Sequence, residues 1–206
     1  RNTGIDLGGE SHWPLKLPGD SNWYDIDLAT NAFGQGISVT PIQMAMATGA
    51  IANEGKMYVP HIVKAVIIDG KRYEVDPVLA GTPISADTAK KVTEMLTETL
   101  MDESYENAYI DGYTFAGKTG TGQIPTEYGY TNPLTNASFV GWGPSEDPQV
   151  VVYVWMQEPT RDIWGSQIAA PIFSKVVEKL VVLMDIPPDS IRLGENATLQ
   201  VLESGE

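Results

Sequence analysis

The sequence predicts an α/β protein of the α+β type, in which an antiparallel sheet is covered by helices. A strand around Lys118 is followed by two further strand segments, residues 136–143 and 149–157, joined by a short turn typical of a hairpin. A helix with a broad apolar stripe follows at residues 171–184, and a nearly all-apolar helix begins at Thr40. We expect three antiparallel strands, with the Lys118 strand outermost.

Composition and charge limit the classes of function. The chain has 206 residues, 42% hydrophobic and 19% charged, enough for one substantial globular domain. The formal charge of −14 argues against nucleic-acid partners. Cysteine is absent, which excludes disulfides, a thiol nucleophile and a zinc knuckle, and we predict no metal site and no cofactor. No apolar run approaches the roughly 20 residues of a membrane helix, and the first residues have no signal-peptide anatomy, so the chain looks cut from a longer protein.

The N-terminal third is predicted to be a loop followed by a helix. Residues 1–36 are rich in Gly, Pro, Asn and Asp and are expected to be mostly loop. Thr40 is then the N-cap of a helix, with Pro41 at its first position and Gln43 completing a capping box. Small and apolar residues follow at helical spacing, so this helix is expected to be buried and to end at Gly55.

The middle of the chain predicts a hairpin and a second helix. Segments 62–68 and 71–75 are strand candidates joined by Asp69-Gly70, a strong hairpin signal. Ser85 is expected to cap a helix over residues 86–102. Its apolar face is formed by Ala89, Val92, Leu96 and Leu100. Its solvated face is formed by Lys90, Lys91, Glu94 and Glu98.

The last predicted helix, residues 171–184, is expected to cover the sheet. Its apolar stripe is formed by Ile172, Phe173, Val176, Val177, Leu180 and Met184. We place the folded domain at residues 1–186. Residues 187–206 begin with Pro187, are acidic, and are predicted to be a linker or frayed end.

The stretch that indicates function is residues 112–123, which read GYTFAGKTGTGQ. Lys118 places one cation among two hydroxyls and several glycines that let a ligand approach the backbone closely. An extended segment with bare amides, a fixed ammonium and hydroxyls suits a peptide that ends in a carboxylate. The outermost strand of a sheet is free to accept such a peptide as an added strand.

Two other interpretations fit the same letters. Residues 112–119 match the phosphate-loop pattern G-x-x-x-x-G-K-[ST], which requires a helix to begin at the lysine. The glycines and prolines that follow Lys118 disfavour a helix and therefore nucleotide binding. An ordinary glycine-rich turn is the second alternative.

Three segments together resemble the transpeptidase domain of class B penicillin-binding proteins. They read LATNAFGQGISVTPIQMAMATGAIANEG, AGKTGTGQ and NASFVGWGP, and the likeness extends over roughly residues 3–184. It implies an incomplete penicillin-binding-protein/serine β-lactamase-like fold, corresponding to the C-terminal portion of the domain. The family cross-links peptidoglycan stem peptides through a serine acyl-enzyme and binds β-lactams. The division and elongation branches of the family both remain open.

The resemblance assigns roles residue by residue. Lys118 would supply positive potential near the nucleophile and the substrate carboxylate. Thr119 and Thr121 would be the hydroxyl positions, with Thr121 favoured as the carboxylate contact and its main-chain N–H as one oxyanion donor. Gly120 would let the acyl group pass close to the strand. The substrate-binding wall would also include Gly122, Gln123 and the loop to Tyr130.

Two of the three family motifs, Ser-x-x-Lys and Ser-x-Asn, do not occur in the sequence. The nearest approach is Ser21-Asn22, whose asparagine comes one position too early. The nucleophile is therefore expected outside this chain, and the chain alone is expected to be inactive toward penicillin. Implied partners are stem peptides, β-lactams, the N-terminal part of the same domain and other cell-wall synthesis proteins. The implied location is the extracytoplasmic face of the bacterial plasma membrane, with an anchor outside this chain.

Other chemistry receives less support from the sequence. The histidines, His12 and His61, lack a G-x-S-x-G partner motif for a serine triad. Trp142 and Trp155 lie on adjacent predicted strands, where stacking on a sugar and cross-strand or core packing are both open, with packing favoured. An alternative of another functional class is a non-catalytic structural or interaction module that keeps the fold.

Overall fold

Helices and strands follow one another in groups along the chain in a computed structural model, which describes residues 2–11, 15–130 and 134–194. The helices are α1 (Asp25–Ala32), α2 (Pro41–Ala52), α3 (Ala86–Met101), α4 (Gly165–Ile168), α5 (Ala170–Leu183) and α6 (Asp189–Arg192), with a 3-10 helix at Glu103–Ala108. The strands are β1 (Met57–Tyr58), β2 (Ala65–Ile68), β3 (Lys71–Glu74), β4 (Leu79–Gly81), β5 (Ala116–Gln123), β6 (Thr135–Gly143) and β7 (Val150–Gln157). Two units divide the chain: Arg1–Lys91 with Pro125–Asn132, and Val92–Ile124 with Pro133–Glu206.

In the first unit, helix α2 begins where the capping pattern predicts. Gln43 N–H donates to Thr40 Oγ1 at 3.3 Å, and Thr40 N–H donates to Gln43 Oε1 at 2.8 Å, with Pro41 at the first position. The predicted burial of this helix is wrong, because only Thr48 and Ala50 among its residues are buried. A helix that is apolar all round needs neighbours on every side, and the described part of this unit does not provide them.

The predicted hairpin is present as β2 and β3. Asp69 and Gly70 have φ angles of 52° and 75°, the left-handed pair that a two-residue type I′ turn requires. Strand β2 starts later than predicted, since the Asp6 carboxylate accepts the N–H groups of Ile62 and Val63 at 2.7 and 2.9 Å. Amides bonded to a side chain are not available to a strand ladder.

Two elements of the first unit depart from the predictions. Helix α1 forms within the stretch predicted to be loop. Its first turn is stabilised by Asp27, whose carboxylate accepts Tyr24 N–H at 2.7 Å and pairs with the Lys16 ammonium. Strands β1 and β4 pair antiparallel but are too short to show an alternating pattern in the sequence.

The second unit contains the predicted antiparallel sheet. Its strand order is β5-β6-β7, with β5 outermost, which confirms the predicted topology. Helix α5 packs on one face, where the Phe173 ring lies 4.6 Å from Phe139 and 6.1 Å from Phe115, centroid to centroid. Gly141 permits this approach, because a Cβ there would lie 2.5 Å from the Phe173 ring.

The buried stripe of α5 is narrower than predicted. The residues of α5 that are buried are Ala170, Phe173, Ser174, Val177 and Val181. The predicted stripe members Ile172, Val176 and Met184 are instead 42%, 37% and 47% exposed. Three strands offer too little surface to cover a broad stripe, so one line of side chains is buried and its neighbours are not.

Helix α3 follows the prediction closely. Ser85 Oγ accepts Thr88 N–H at 3.1 Å, and the four charged residues of the predicted solvated face are exposed. On the opposite side Leu100 is buried. Trp142 Nε1–H donates to Thr93 Oγ1 at 3.3 Å, so α3 contacts the face of the sheet opposite α5.

The described part of the segment after Pro187, up to residue 194, is ordered by contacts and is not the frayed end that was predicted. Residues 189–192 form α6, whose Asp189 N–H donates to Gly112 O at 2.9 Å. Residues 187–194 are therefore bonded to the rest of the second unit. Asp189 bonds to Thr114 and Arg192 pairs with Glu146, two contacts that composition alone does not predict. Residues 195–206 lie outside the described residues, so for them the predicted linker or frayed end stays a prediction.

Candidate active site

Strand β5 carries the Lys-Thr-Gly-Thr sequence along an open edge. Its register with β6 is regular, from Ala116 opposite Trp142 to Gln123 opposite Thr135. Just beyond the strand, Ile124 N–H donates to Leu134 O at 3.0 Å, so Ile124 and Leu134 form a hydrogen-bonded pair of the antiparallel ladder. Because main-chain groups alternate in direction along a strand, even-numbered residues of β5 face β6 and odd-numbered ones face outward.

The outward-facing residues include both threonines. Thr119 and Thr121 therefore present their N–H and C=O groups at the edge of β5 that no strand pairs with in the described ranges. This is the arrangement that an added peptide strand requires. The predicted open strand is thus present around Lys118.

Lys118 and Thr119 bring their polar ends together at this edge. The register puts Lys118 on one face with Val140, and Thr119 on the other with Phe139. Even so, Lys118 Nζ lies 3.2 Å from Thr119 O and 3.4 Å from Thr119 Oγ1, so the side chain bends around the edge. Lys118 is exposed and pairs with no carboxylate in the part of the chain that the structure describes. The edge therefore carries an ammonium and a hydroxyl side by side.

The Thr121 hydroxyl has a partner that the sequence did not reveal. Its Oγ1 accepts Gly165 N–H, at the start of α4, at 3.2 Å. This contact commits one lone pair of the hydroxyl to the fold, and it places the side chain on the α5 face. The hydroxyl hydrogen stays available to donate, so the preference for Thr121 over Thr119 as the carboxylate contact stays a prediction. The main-chain N–H of Thr121 faces outward, as its predicted role as an oxyanion donor requires.

The glycines of the motif differ in what surrounds them. A Cβ at Gly120 would lie 2.5 Å from Ser138 Oγ, whereas one at Gly122 would meet no atom within 4 Å. A side chain at Gly120 would therefore have to displace the Ser138 hydroxyl, on the face away from α5. Its predicted role, passage of an acyl group, stays a prediction.

Polar residues that the sequence analysis missed share this face with Lys118. Burial raises the pKa of the Tyr153 phenol, and the nearby Ser138 hydroxyl opposes the rise. Asn136 Oδ1 is buried without a hydrogen-bond partner among the described residues. The available signal was the alternation in NASFV, where Asn136 and Ser138 take the polar positions.

Comparison with known proteins decides the family. The family model described as penicillin binding protein transpeptidase domain matches residues 2–178. The chain belongs to this family. The resemblance predicted from the three sequence segments is therefore confirmed.

Curated relatives are similar to this chain over most of its length. Stage V sporulation protein D of Bacillus subtilis is 35% identical over 195 residues, covering 91% of this chain and 29% of that protein. A probable peptidoglycan D,D-transpeptidase of Pseudomonas aeruginosa is 29% identical, covering 91% of this chain and 32% of its own length. The chain thus spans about a third of these curated relatives.

Solved structures agree with the fold. Penicillin binding protein 3 from Mycobacterium tuberculosis, in its apo form, superposes with a TM-score of 0.77 at 30% identity, covering 91% of this chain and 44% of that one. The transpeptidase domain of penicillin-binding protein 3 from Burkholderia pseudomallei gives 0.72 at 30% identity, covering 91% and 56%. The predicted transpeptidase fold class is confirmed.

In this transpeptidase-family chain, the described residues form neither a phosphate loop nor a shared sugar-stacking surface. Lys118 lies inside a strand and no helix begins there, so the phosphate-loop interpretation fails. Trp142 is buried, whereas Trp155 is 43% exposed and lies opposite Ser138, so the two rings do not make one sugar platform. His61 Nδ1 lies 3.0 Å from Val63 O, and His12 lies outside the described residues.

Three further findings bear on the surroundings of the site. Over residues 2–11, 15–130 and 134–194, no three His, Cys, Asp or Glu side chains group as a metal site would require. Over the same ranges, no helix has both the length and the apolar character needed to cross a membrane. The loop around Thr126–Gly129 closes as a turn, but it belongs to the first unit and Gln123 to the second, so the predicted rim stays a prediction.

Proposed function

We propose that this chain forms the Lys-Thr-Gly wall of a peptidoglycan D,D-transpeptidase active site. The whole protein would cross-link stem peptides through a serine acyl-enzyme and would be acylated by β-lactams. The observation that carries the proposal is the edge strand β5, where Lys118, Thr119 and the outward amide of Thr121 are presented together. Family membership supports the reaction class.

Each residue of β5 then has a task. A stem peptide extends the sheet by pairing with the outward groups of Thr119 and Thr121. Its carboxylate binds at the Lys118 ammonium and at the hydroxyls of Thr119 and Thr121, with Thr121 the favoured hydroxyl contact. The Thr121 N–H donates to the oxygen on which negative charge develops during acyl transfer. Gly122 and Gln123 continue the wall along the bound peptide.

The attacking serine, its lysine base and the second oxyanion donor come from outside this chain. Without the serine no acyl-enzyme can form, so this chain alone forms no covalent adduct with penicillin. Its partners are the remaining part of the domain and other cell-wall synthesis proteins, at the extracytoplasmic face of the membrane. If no such serine exists in the whole protein, the chain is instead a non-catalytic structural or interaction module that keeps the fold.

Labelling of the whole protein by a fluorescent penicillin tests this function. We expect a serine outside this chain to be labelled, and Lys118→Ala to slow labelling by about 10²–10³-fold, as loss of preorganised charge stabilisation does. Lys175→Ala, an exposed lysine on α5, is the matched control and should label at the normal rate. Absence of labelling in the unaltered whole protein, or equal rates for the two variants, would contradict the proposal.

A further inference from the structure

We propose that Asp189 is a positioning residue for the Lys-Thr-Gly strand, acting through Thr114. Asp189 Oδ2 accepts the main-chain N–H of Thr114 at 2.6 Å. Thr114 lies two residues before β5 begins and four before Lys118. This inference rests on the function proposed above and extends it to residues at the far end of the described chain.

The Asp189 carboxylate is itself held in place. Its Oδ1 accepts Arg192 Nη2–H at 2.6 Å, and the side chains of Asp189 and Arg192 are only 17% and 14% exposed. Arg192 Nη2 also lies 3.5 Å from Glu146 Oε2, in the turn between β6 and β7. Charge-assisted bonds are stronger than neutral ones, and limited exposure to water reduces their screening. Helix α6 thus joins the start of β5 to the turn of the neighbouring hairpin.

The segment before β5 is bonded on several sides. Asp189 N–H donates to Gly112 O at 2.9 Å, and the Tyr113 hydroxyl donates to Ile186 O at 2.8 Å. Thr114 O accepts the Ser145 N–H at 2.8 Å. Both main-chain groups of Thr114 are therefore fixed, its N–H by the Asp189 carboxylate and its C=O by the turn after β6.

Core packing restrains this segment at the buried Phe115 but not on every side. An open cavity of about 340 Å³ lies beside it, and Tyr113, Thr114 and Phe115 form part of its lining. With space on that side, side-chain contacts restrain the segment less than in a filled core. Strand β5 also has a neighbour on one edge only, so its alignment depends on β6 and on how its first residues are held. The Asp189 bond supplies this second restraint.

The consequence concerns the edge that binds substrate. The Thr121 amide and the Lys118 ammonium must keep a fixed position relative to the attacking serine, because small displacements slow acyl transfer strongly. Loss of the Asp189 bond should let β5 move while the rest of the sheet stays folded. The effect should therefore appear in the acylation step more than in binding of the β-lactam.

Hydrogen exchange and acylation rates of the whole protein test the proposal together. We expect Asp189→Ala to speed amide exchange in residues 112–123 by about tenfold or more, as loss of a charge-assisted bond would, with residues 150–157 unchanged. The acylation rate constant should fall by a similar factor, with little change in the pre-acylation binding constant. Arg192→Gln, a milder change, should give a smaller effect in the same direction, and Asp189→Glu should restore part of the rate. Glu178→Gln, an exposed change on α5, is the control.

Several results would overturn the proposal. Asp189 would have no positioning role if amide hydrogen exchange over residues 112–123 stayed unchanged in both the Asp189 and Arg192 variants. An increase spread equally over β5, β6 and β7 would also overturn the proposal, because it indicates loss of stability rather than loss of position. If the unaltered whole protein is not acylated, the proposed function fails, and the exchange pattern then decides on the role of Asp189 by itself.

Discussion

The side chains of Lys118 and Thr119 leave strand β5 on opposite faces, yet Lys118 Nζ lies 3.4 Å from Thr119 Oγ1 and 3.2 Å from Thr119 O at the free edge. Both residues could be predicted from the sequence because a lysine among hydroxyls and glycines is a local pattern. The partner of the Thr121 hydroxyl could not, since Gly165 lies 44 positions away and is brought close by the fold. Residue roles that depend on local chemistry were predictable, and those that depend on a distant contact were not.

The contrast between the motif glycines gives the first prediction. Gly120→Ala places a Cβ against Ser138 Oγ and should destabilise the protein by about 1–3 kcal/mol, as overpacking does. Gly122→Ala, which adds a Cβ in open space, should be close to neutral. Urea denaturation measures both. In a Ser138→Ala background most of the Gly120→Ala cost should disappear, and an undiminished cost there would show that the contact with Ser138 is not its cause.

Acid sensitivity gives a second prediction at the residue scale. The Asp6 carboxylate accepts the N–H groups of Val63 and Ile62, and these bonds hold its pKa below the usual value of 3.8. A pKa depressed by folding means that the stabilisation is present above about pH 4 and is lost as pH falls through the folded-state pKa. Carboxyl NMR titration should show the lowered midpoint. Asp6→Asn should flatten the acid end of the stability curve, and the exposed Asp76→Asn should leave it unchanged.

Elements with a strong local signal were predicted well. The capped starts of α2 and α3, the Asp69-Gly70 hairpin and the three-stranded sheet all follow from spacing and turn residues. Helices α1 and α6 were missed because each depends on an aspartate that finds a partner outside its own helix, Lys16 for α1 and Thr114 for α6. The stripe of α5 was overestimated, since the pattern shows which residues are apolar but not how much sheet is available to cover them.

The cap of α2 can be tested directly. Thr40→Ala removes the hydroxyl that accepts Gln43 N–H and should cost about 1 kcal/mol of stability. Thr40→Ser keeps the acceptor and serves as the control. Thermal unfolding of the two variants compares them, and equal melting temperatures would indicate that the first unit does not depend on this cap.

For the whole molecule, the exposed apolar residues lead to a prediction about self-association. Ile172, Val176 and Leu183 lie at helical spacing on α5 and are exposed, and such surfaces mark contact sites. The chain on its own is therefore expected to dimerise or aggregate. Light scattering should report a mass above that of the monomer, reduced by Leu183→Glu. A monodisperse monomer with a sharp melting transition would contradict this.

The proposed function depends on the open edge of β5 binding the acyl group. The structure of the whole protein acylated by a β-lactam tests this most directly. We predict that the acyl carbonyl oxygen lies about 3 Å from the Thr121 nitrogen, with the ligand carboxylate at Lys118 Nζ and at the hydroxyls of Thr119 and Thr121. An adduct that makes no contact with residues 118–121 would contradict the account.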